Sequence, residues 1–336
     1  MNLKLVTLFA FIFLLPPFLS AHAQLDLSGV ADVRGSGTVF QVFPKVPGPN
    51  QKVKIVLENS DLNLDSALIT WTVNGQRVKS GTGEKSLTIQ TGDLGTQSTV
   101  RVTTMLGSTA LSDTIILRPS EVDILWQGRG YVPPFYKGRN LLAKEGYITI
   151  MAIPHVYNSN GHQVDPSKLI YRWSMDGTIL GGSSGTGKNY LIYADSVLAL
   201  TRNITIDIFE NNTLSASNSV LLQAINPVVT VYENNPLYGY LFNKEVGSEY
   251  ILNKEEVTFA AFPYFFNPLE RNSPFLNYEW STNTAKSSKN TSQVTFRSEE
   301  RKEGYSTLRV RAKSTDFVLQ SISKDFLVQF KNEGSL

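Results

Sequence analysis

The sequence YRWSMDG, residues Tyr171–Gly177, has a near-copy on either side of it. The upstream copy, ITWTVNG, spans Ile69–Gly75, and the downstream copy, YEWSTN, spans Tyr278–Asn283. The central tryptophans lie 102 and 107 residues apart, a spacing typical of β-sandwich domains of about 100 residues. The chain is therefore predicted to contain three tandem domains of one fold.

Each copy has the pattern of a β-strand that leads into a hairpin. In the first copy, isoleucine, tryptophan and valine alternate with two threonines, as expected of a strand with one face in a core. The dipeptides Asn74-Gly75 and Asp176-Gly177 tolerate positive φ at both positions of a tight turn, whereas the third copy lacks the glycine and is expected to have a wider turn. We expect the tryptophans to anchor the sandwich cores, since their neighbours alternate as a core face does; they are Trp71, Trp173 and Trp280.

The rest of the chain consists of short β-rich runs divided by Gly, Asn, Ser and Pro, at intervals typical of β-sandwiches. These runs recur in the same order around each tryptophan. Short junctions that contain proline, at Arg118–Ser120 and Asn226-Pro227, separate the three groups. We predict an all-β chain with domain boundaries at 24–118, 119–226 and 227–336.

Residues 1–23 have the composition of an export signal. Lys4 is followed by the apolar run Leu5–Leu15 and by the cleavage pattern Ala21-His22-Ala23. The apolar run is shorter than the about 20 residues that span a bilayer. The mature chain is expected to begin at Gln24, to be extracytoplasmic and to contain no transmembrane segment.

The chain contains no cysteine, which excludes a disulfide framework, thiolate metal sites and cysteine nucleophiles. An exported chain without disulfides relies on its hydrophobic cores, which domains of about 100 residues can supply, and this composition favours a bacterial source. The formal net charge is +2, and removal of the signal lowers it to +1 because one lysine and no acidic residue are lost. Charge therefore gives no reason to expect nucleic-acid binding.

The Trp-x-x-Asn/Asp-Gly hairpin, with a strand rich in valine and isoleucine upstream, resembles bacterial immunoglobulin-like and PKD-like domains, which occur in tandem in exported surface proteins. The resemblance covers residues 40–330 as a pattern of domains. The PKD pattern has Asp-Phe-Gly-Asp-Gly after the tryptophan, whereas Ser174–Gly177 is shorter and favours the broader immunoglobulin-like family. The resemblance implies three immunoglobulin-like sandwiches with a role in adhesion, spacing or surface assembly, and it supplies no catalytic residues.

Two motifs that suggest chemistry have structural interpretations. Gly182–Lys188 has the glycine and lysine spacing of a phosphate-binding loop, but an asparagine follows it where magnesium binding would need Ser or Thr. A related loop, Ser80–Lys85, lies at the same place in the first domain, which favours a structural role. His155 and His162 share a polar loop, where histidines are more often solvated than bound to metal. We predict no enzyme activity and no cofactor.

Asp61, Asn63 and Asp65 have the spacing of the first three ligands of a calcium loop. The sixth and twelfth positions are Ser66 and Thr72 rather than Gly and Glu, so a plain polar loop is the favoured interpretation. Weak calcium binding is kept as a hypothesis, and an equal melting temperature in chelator and in calcium would contradict it.

Aromatic residues are concentrated in the loops that follow the opening strands of the second and third domains. The candidates for partner binding are Tyr131, Phe135, Tyr136, Tyr238, Tyr240 and Phe242. Such loops can stack on sugars or hold a protein partner. They can also pack across the joint between two domains, which their position after each linker favours.

These observations predict a non-enzymatic, exported protein that acts as a cell-surface or envelope structural or adhesion module, with a protein or a cell-surface glycan as its partner. One alternative is a carbohydrate-binding accessory module that uses the aromatic loops. Another is a periplasmic assembly factor that works by pairing a β-strand at an exposed sheet edge.

Overall fold

The computed structural model describes residues 37–194, 201–287, 289–297 and 304–330. The predicted export signal, residues 1–23, lies outside the described residues. The described chain is all β apart from two short 3-10 helices, and its strands form six sheets that make three consecutive sandwiches. Every strand pairing in the described residues joins two strands of the same sandwich.

The first sandwich has two antiparallel sheets, with strand orders β1-β2-β5 and β4-β3-β6-β7. This division of seven strands is that of an immunoglobulin-like fold. The strands are β1 (Thr38–Phe43), β2 (Lys52–Asn59), β3 (Leu68–Val73), β4 (Gln76–Thr82), β5 (Ser86–Gln90), β6 (Ser98–Leu106) and β7 (Thr109–Leu117).

The second sandwich repeats the first, with sheets β13-β9-β8 and β11-β10-β14-β15, and β12 also pairs with β10. Its strands are β8 (Glu121–Gly128), β9 (Tyr147–His155), β10 (Ile170–Met175), β11 (Thr178–Ile179), β12 (Gly185–Thr186), β13 (Tyr190–Ala194), β14 (Thr201–Glu210) and β15 (Thr213–Gln223). The two 3-10 helices are Pro166–Lys168 and Gly181–Ser183.

The third sandwich departs from the other two at its edges. Its sheets are β17-β16-β19-β21 and β18-β23-β22-β20, so β17 is added beside the opening strand, and β18 pairs in parallel with β23. The strands are β16 (Val228–Asn235), β17 (Gly239–Glu245), β18 (Glu249–Leu252), β19 (Glu256–Tyr264), β20 (Leu276–Ser281), β21 (Gln293–Arg297), β22 (Gly304–Ser314) and β23 (Ser321–Phe330).

The three repeated tryptophans lie on β3, β10 and β20, and each is buried in the hydrophobic core of its sandwich. A buried indole N–H needs a hydrogen-bond acceptor. In each domain it donates to a backbone carbonyl of the loop that leads into the opposite sheet, which fixes that loop on the core. The acceptors are the carbonyl oxygens of Glu84, Lys188 and Thr291, at 2.7, 2.9 and 2.9 Å.

The two glycine-lysine loops are these same loops in the first and second domains. Gly83 and Gly187 have φ values of +72° and +71°. Their N–H groups donate to the carbonyls of Ala67 and Leu169, at 3.0 and 2.9 Å. A side chain on either glycine would be strained by the positive φ, so the repeated loop geometry accounts for the repeated sequence.

Candidate functional site

Strand β19 in the third domain is buried on both of its faces. One face lines the core of the third sandwich, and the other carries Ala260, Phe262 and Tyr264 in a separate buried cluster. A strand of an antiparallel sheet usually has one solvated, polar face. The second apolar face of β19 therefore shows that another part of the chain covers this sheet.

Part of the cover is the loop 129–146 of the second domain. The Tyr131 ring of this loop stacks on Tyr264, with a centroid distance of 5.8 Å and an interplanar angle of 10°. The Tyr131 N–H donates to the Phe266 carbonyl at 2.8 Å, and the Phe265 N–H donates to the Tyr131 carbonyl at 2.6 Å. The loop thus docks on the third domain through both its backbone and its side chain.

Strand β17 supplies the remaining cover. The rings of Tyr240 and Phe242 lie edge-on to Phe262, at centroid distances of 5.2 and 5.1 Å, a favourable geometry for aromatic pairs. The Arg271 guanidinium lies 4.5 Å from the Phe262 ring and donates to the Tyr240 hydroxyl at 2.6 Å. Burial raises the pKa of Tyr131, and the charge of Arg271 offsets only part of that rise, so this phenol is neutral at neutral pH.

Polar groups bridge the same two domains. The Asn267 side-chain amide donates to the Glu145 carbonyl at 3.1 Å, and the Glu145 carboxylate accepts from the Leu319 N–H at 2.7 Å. The fully buried Gln320 donates to the Lys144 carbonyl at 2.9 Å and accepts from the Asn267 N–H at 2.9 Å. We call this aromatic and polar contact between the second and third domains the aromatic joint.

The six aromatic residues that the sequence singled out divide into two groups. Tyr131, Tyr240 and Phe242 lie within the aromatic joint. Phe135 and Tyr238 are 87% and 79% exposed. Phe135 is edge-on to Phe242 at 6.4 Å, so it sits on the surface of the joint, and its ring is accessible to a ligand. The sixth residue, Tyr136, is one-third exposed and edge-on to Phe265.

Equivalent positions in the three domains follow from one repeated hydrogen bond. In each domain an N–H of β2, β9 or β19 donates to a backbone carbonyl at 2.7–2.8 Å. This carbonyl belongs to the residue directly after the one that accepts from the tryptophan indole. The donors are Leu57, Ala152 and Ala261, and the acceptors are Lys85, Asn189 and Ser292. The next residues along the strand, which face outward, are therefore equivalent; they are Glu58, Ile153 and Phe262.

The face of the second domain that corresponds to the aromatic joint is apolar but exposed. Leu125 pairs with Met151 across β8 and β9, and Met151 pairs with Tyr190 across β9 and β13, so the three side chains form one row. Ile153 and Ile192 extend this row on either side. All five side chains are between 36% and 56% exposed. We call these five residues the apolar face.

In the first domain four of the five corresponding positions are polar, and Val56 occupies the position of Met151. Gln41 and Glu58 stand where the second domain has Leu125 and Ile153, and the Gln41 amide donates to the Glu58 carboxylate at 2.7 Å. The same sheet face is therefore polar in the first domain, apolar and open in the second, and apolar and covered in the third.

The apolar face was not identified from the sequence, although a signal for it is present. The run YITIMAI, Tyr147–Ile153, is apolar at nearly every position, whereas the corresponding strand of the first domain alternates, with Lys54 between Val53 and Ile55. A strand without alternation is typical of a sheet that is buried on both faces.

The acidic loop of the first domain uses its side chains in local contacts. The Asn63 side-chain oxygen Oδ1 accepts from the Asp65 N–H at 3.1 Å, and Asp65 forms an ion pair with Lys85 at 2.8 Å. Asp61 accepts from the Ser60 hydroxyl at 2.9 Å. The described residues contain no group of three or more acidic or histidine side chains placed to hold a metal ion. Calcium binding at this loop stays a prediction.

The second domain repeats this turn, with Asp165 in place of Asn63. Its carboxylate accepts from the Ser167 N–H at 2.9 Å, and the hydrogen bonds from Ser167 hold the pKa of Asp165 below its ordinary value. Of the two histidines, His155 lies 3.3 Å from the Asp123 carboxylate, beside the apolar face. The His162 N–H donates to the Asn158 side chain at 3.1 Å.

No protein-family model matches the sequence, and no curated protein is significantly similar to it. Solved structures of tandem immunoglobulin-like and fibronectin III-like domains are similar in fold. The fibronectin(III)-like modules of Clostridium thermocellum CbhA are 12% identical with a TM-score of 0.28, over 55% of this chain and 93% of that chain. The three N-terminal domains of the bacteriophage RB49 outer capsid protein Hoc are 9% identical with a TM-score of 0.26, over 90% and 100%.

The central fibronectin-III array of RIM-binding protein is also similar, at 9% identity and a TM-score of 0.25, over 83% of this chain and 96% of that chain. These similarities concern the fold alone. In the part of the chain that the structure describes, no helix has the length and apolar character needed to cross a bilayer.

Proposed function

We propose that this chain is a non-enzymatic, exported bacterial protein that serves as a structural or adhesion module outside the cytoplasm. In this proposal the second and third domains act as a stiff spacer that holds a protein-binding surface at a set angle. The aromatic joint is the observation that carries the proposal. The export signal predicted at residues 1–23 supports the extracytoplasmic location.

The composition of the joint supports stiffness. Consecutive domains usually move relative to each other unless their interface is large and hydrophobic. Here a stacked tyrosine pair, edge-on ring pairs such as Phe135 with Phe242 and Tyr147 with Phe317, and two backbone hydrogen bonds connect the second domain to the third. Since both the rings and the buried amide of Gln320 would lose their partners if the domains separated, opening of the joint is costly.

The same contacts argue for a protein partner over a glycan. Sugar-binding rings need an accessible face, and the rings of Tyr131, Tyr240 and Phe242 are packed on other rings. A glycan site is the second candidate, because Phe135 and Tyr238 expose most of their surface. A glycan panel tests it: binding that Phe135→Ala and Tyr238→Ala both abolish would favour the carbohydrate-binding function.

Two experiments test the main proposal. Protease shaving and fractionation of producing cells should find the mature chain outside the cytoplasm, and mass spectrometry should place its N-terminus at Gln24. Small-angle scattering should show a fixed angle between the second and third domains, which Tyr131→Ala loosens and the surface control Phe135→Ala does not. A cytoplasmic location, or a hydrolase or transferase activity of the purified chain, would contradict the proposal.

A further inference from the structure

We infer that the apolar face of the second domain binds the apolar face of a second copy of this chain, with the strands of the two sheets antiparallel. The described residues of one chain leave the five side chains of this face between 36% and 56% exposed. The sheet of the third domain is covered by strand β17 and by the loop 129–146 of the preceding domain. The corresponding loop of the first domain, 44–51, is short, has no aromatic residue and lines a cleft against the other end of the second domain, near Val156–Ser159.

The size of the face fits a pairwise interface. Its five side chains together expose roughly 400–500 Å², given about 150–250 Å² for a whole large side chain. This is within the range of about 300–600 Å² for the largest patch on a soluble monomer, a patch that is often functional. Two such faces and their polar rims would bury about 1,000 Å² in total, the lower limit for a specific interface.

The shape of the face also fits a second sheet. It is one side of a three-stranded sheet, with Leu125, Met151 and Tyr190 in a row across the strands. Two sheets pack face to face at about 10 Å with their strands within about 30° of parallel or antiparallel. With a twofold axis along this row, each of the three side chains lies over its own copy, and the flexible methionine at the centre can adapt to the opposing surface.

Charge selects the antiparallel arrangement. On the outward side of β8, Glu121 and Asp123 lie at one end, Leu125 is in the middle, and Arg129 lies just past the other end. The pairing with β9 continues to Arg129, whose N–H donates to the Tyr147 carbonyl at 2.8 Å. Arg129 is exposed, and its guanidinium forms no ion pair with a described residue.

The acidic and basic ends are about 20 Å apart along the strand. In a symmetric dimer the same patch contacts itself. A twofold axis that crosses the strands at the central row places the acidic end of one copy over the basic end of the other. An axis along the strands would instead place β8 of each copy over β13 of the other, where the acidic end does not meet Arg129. The charge pattern of the face is thus complementary to itself in one orientation.

Sedimentation velocity of the mature chain over a range of concentrations tests the inference. We expect a concentration-dependent dimer with a micromolar dissociation constant, since interfaces near the lower size limit are weak. Leu125→Glu combined with Met151→Glu should raise the dissociation constant at least roughly 30-fold, as for a central interface residue. The matched control is Val56→Glu, at the position of Met151 in the first domain, and it should leave the dimer intact.

The charge arrangement is tested separately. Because the axis at Leu125 places Glu121 of one copy over Arg129 of the other, Glu121→Arg alone and Arg129→Glu alone should each weaken the dimer, and the double variant should restore it. Thermal melting of each variant establishes that the domain is folded. If the double glutamate variant does not fold, Tyr190→Thr is a milder replacement on the same face. A chain that is monomeric at every concentration, or a dimer unaffected by the glutamate substitutions, would overturn the inference. A double charge variant that stays monomeric would overturn the antiparallel orientation.

Discussion

The outer face of the β16-β19-β21 sheet in the third domain and the same face of the β8-β9-β13 sheet in the second are both apolar, yet only the first of them is covered. Phe262 is 2% exposed in the third domain, and its equivalent Ile153 is 36% exposed in the second. Two segments account for this difference. One is strand β17 of the third domain, whose rings pack on Phe262. The other is the loop between the first two strands of the preceding domain, which is long and aromatic in one case, 129–146, and short in the other, 44–51.

The comparison shows how one repeated sheet face can serve two purposes. Covered by its neighbour, the face joins two domains into one unit. Left open, the same face is available to another molecule. The face of the first domain is neither covered nor apolar, because Gln41 and Glu58 make it polar and form a hydrogen bond with each other.

The largest effect is expected from truncation of Phe262. This ring contacts several other rings in the aromatic joint, and removal of a fully buried phenylalanine side chain costs about 3–5 kcal/mol. Phe262→Ala should therefore lower the unfolding free energy of the third domain by that amount, measured by urea denaturation. The equivalent change in the second domain, Ile153→Ala, should cost less than about 1 kcal/mol, because its side chain is already partly solvated. Equal losses would contradict the difference in cover.

The tryptophan positions should respond alike, since the cores do not differ as the outer faces do. Trp173→Phe and Trp280→Phe each remove an indole N–H and leave the backbone carbonyl of Lys188 or Thr291 without that donor. Each should destabilise its own domain by about 2–3 kcal/mol. Unequal losses, seen as separate unfolding steps by calorimetry, would show that the two cores are not equivalent.

Much of this core arrangement was predictable from the sequence. The tight turns follow from Asn74-Gly75 and Asp176-Gly177, whose φ values are all positive in the structure. The all-β immunoglobulin-like fold is confirmed by the strand order. Local patterns are sufficient for these features because a hairpin and an alternating strand are specified by residues close together in the chain.

The edges of the third domain and the cover of its sheet were not predicted. The parallel pairing of β18 with β23 and the packing of Tyr131 on Tyr264 both join residues far apart in the chain. Alternation within a strand says which residues can be buried, but it does not say what buries them. The sequence therefore identifies the aromatic residues of the loops, but it does not distinguish packing within a joint between domains from binding of a partner.

A third prediction concerns the apolar face of the second domain. Leu125→Gln combined with Ile153→Glu places the first-domain residues on the second domain. Because these side chains are exposed, the unfolding free energy of the second domain should change by less than about 1 kcal/mol, and binding of a hydrophobic dye to the native chain should fall. The same exchange in the third domain, Tyr232→Gln with Phe262→Glu, should destabilise that domain by about 3–5 kcal/mol, as Phe262→Ala does, because it removes rings from the buried cluster. The introduced carboxylate would lie beside the Arg271 guanidinium. If the third domain tolerates the exchange, the joint does not depend on its rings.

A further effect is a pH dependence that arises at one carboxylate of the third domain. Glu233 on β16 is partly buried, and burial alone would raise its pKa. Hydrogen bonds from the Tyr250 hydroxyl, at 2.6 Å, and from Lys254 and Asn235 outweigh burial, so the pKa of Glu233 lies below its ordinary value. A carboxylate with a lowered pKa stabilises the fold above the pKa of the unfolded chain, about 4.3, and this stabilisation is lost as the pH falls through the folded value.

The second domain has Trp126 at the position of Glu233, with the guanidinium of Arg139 over its ring at 3.6 Å, so it lacks this titrating contact. We expect Glu233→Gln to cost about 1–2 kcal/mol at neutral pH, as for the loss of a charge-assisted hydrogen bond. The variant should also flatten the decline of third-domain stability between neutral pH and the acid range. Urea denaturation of both proteins at a series of pH values measures the decline. A decline of equal slope in the variant would assign the acid sensitivity of the third domain to other carboxylates. The next to test would be Asp325, because its ion pair with Arg309 holds the pKa of Asp325 below its ordinary value.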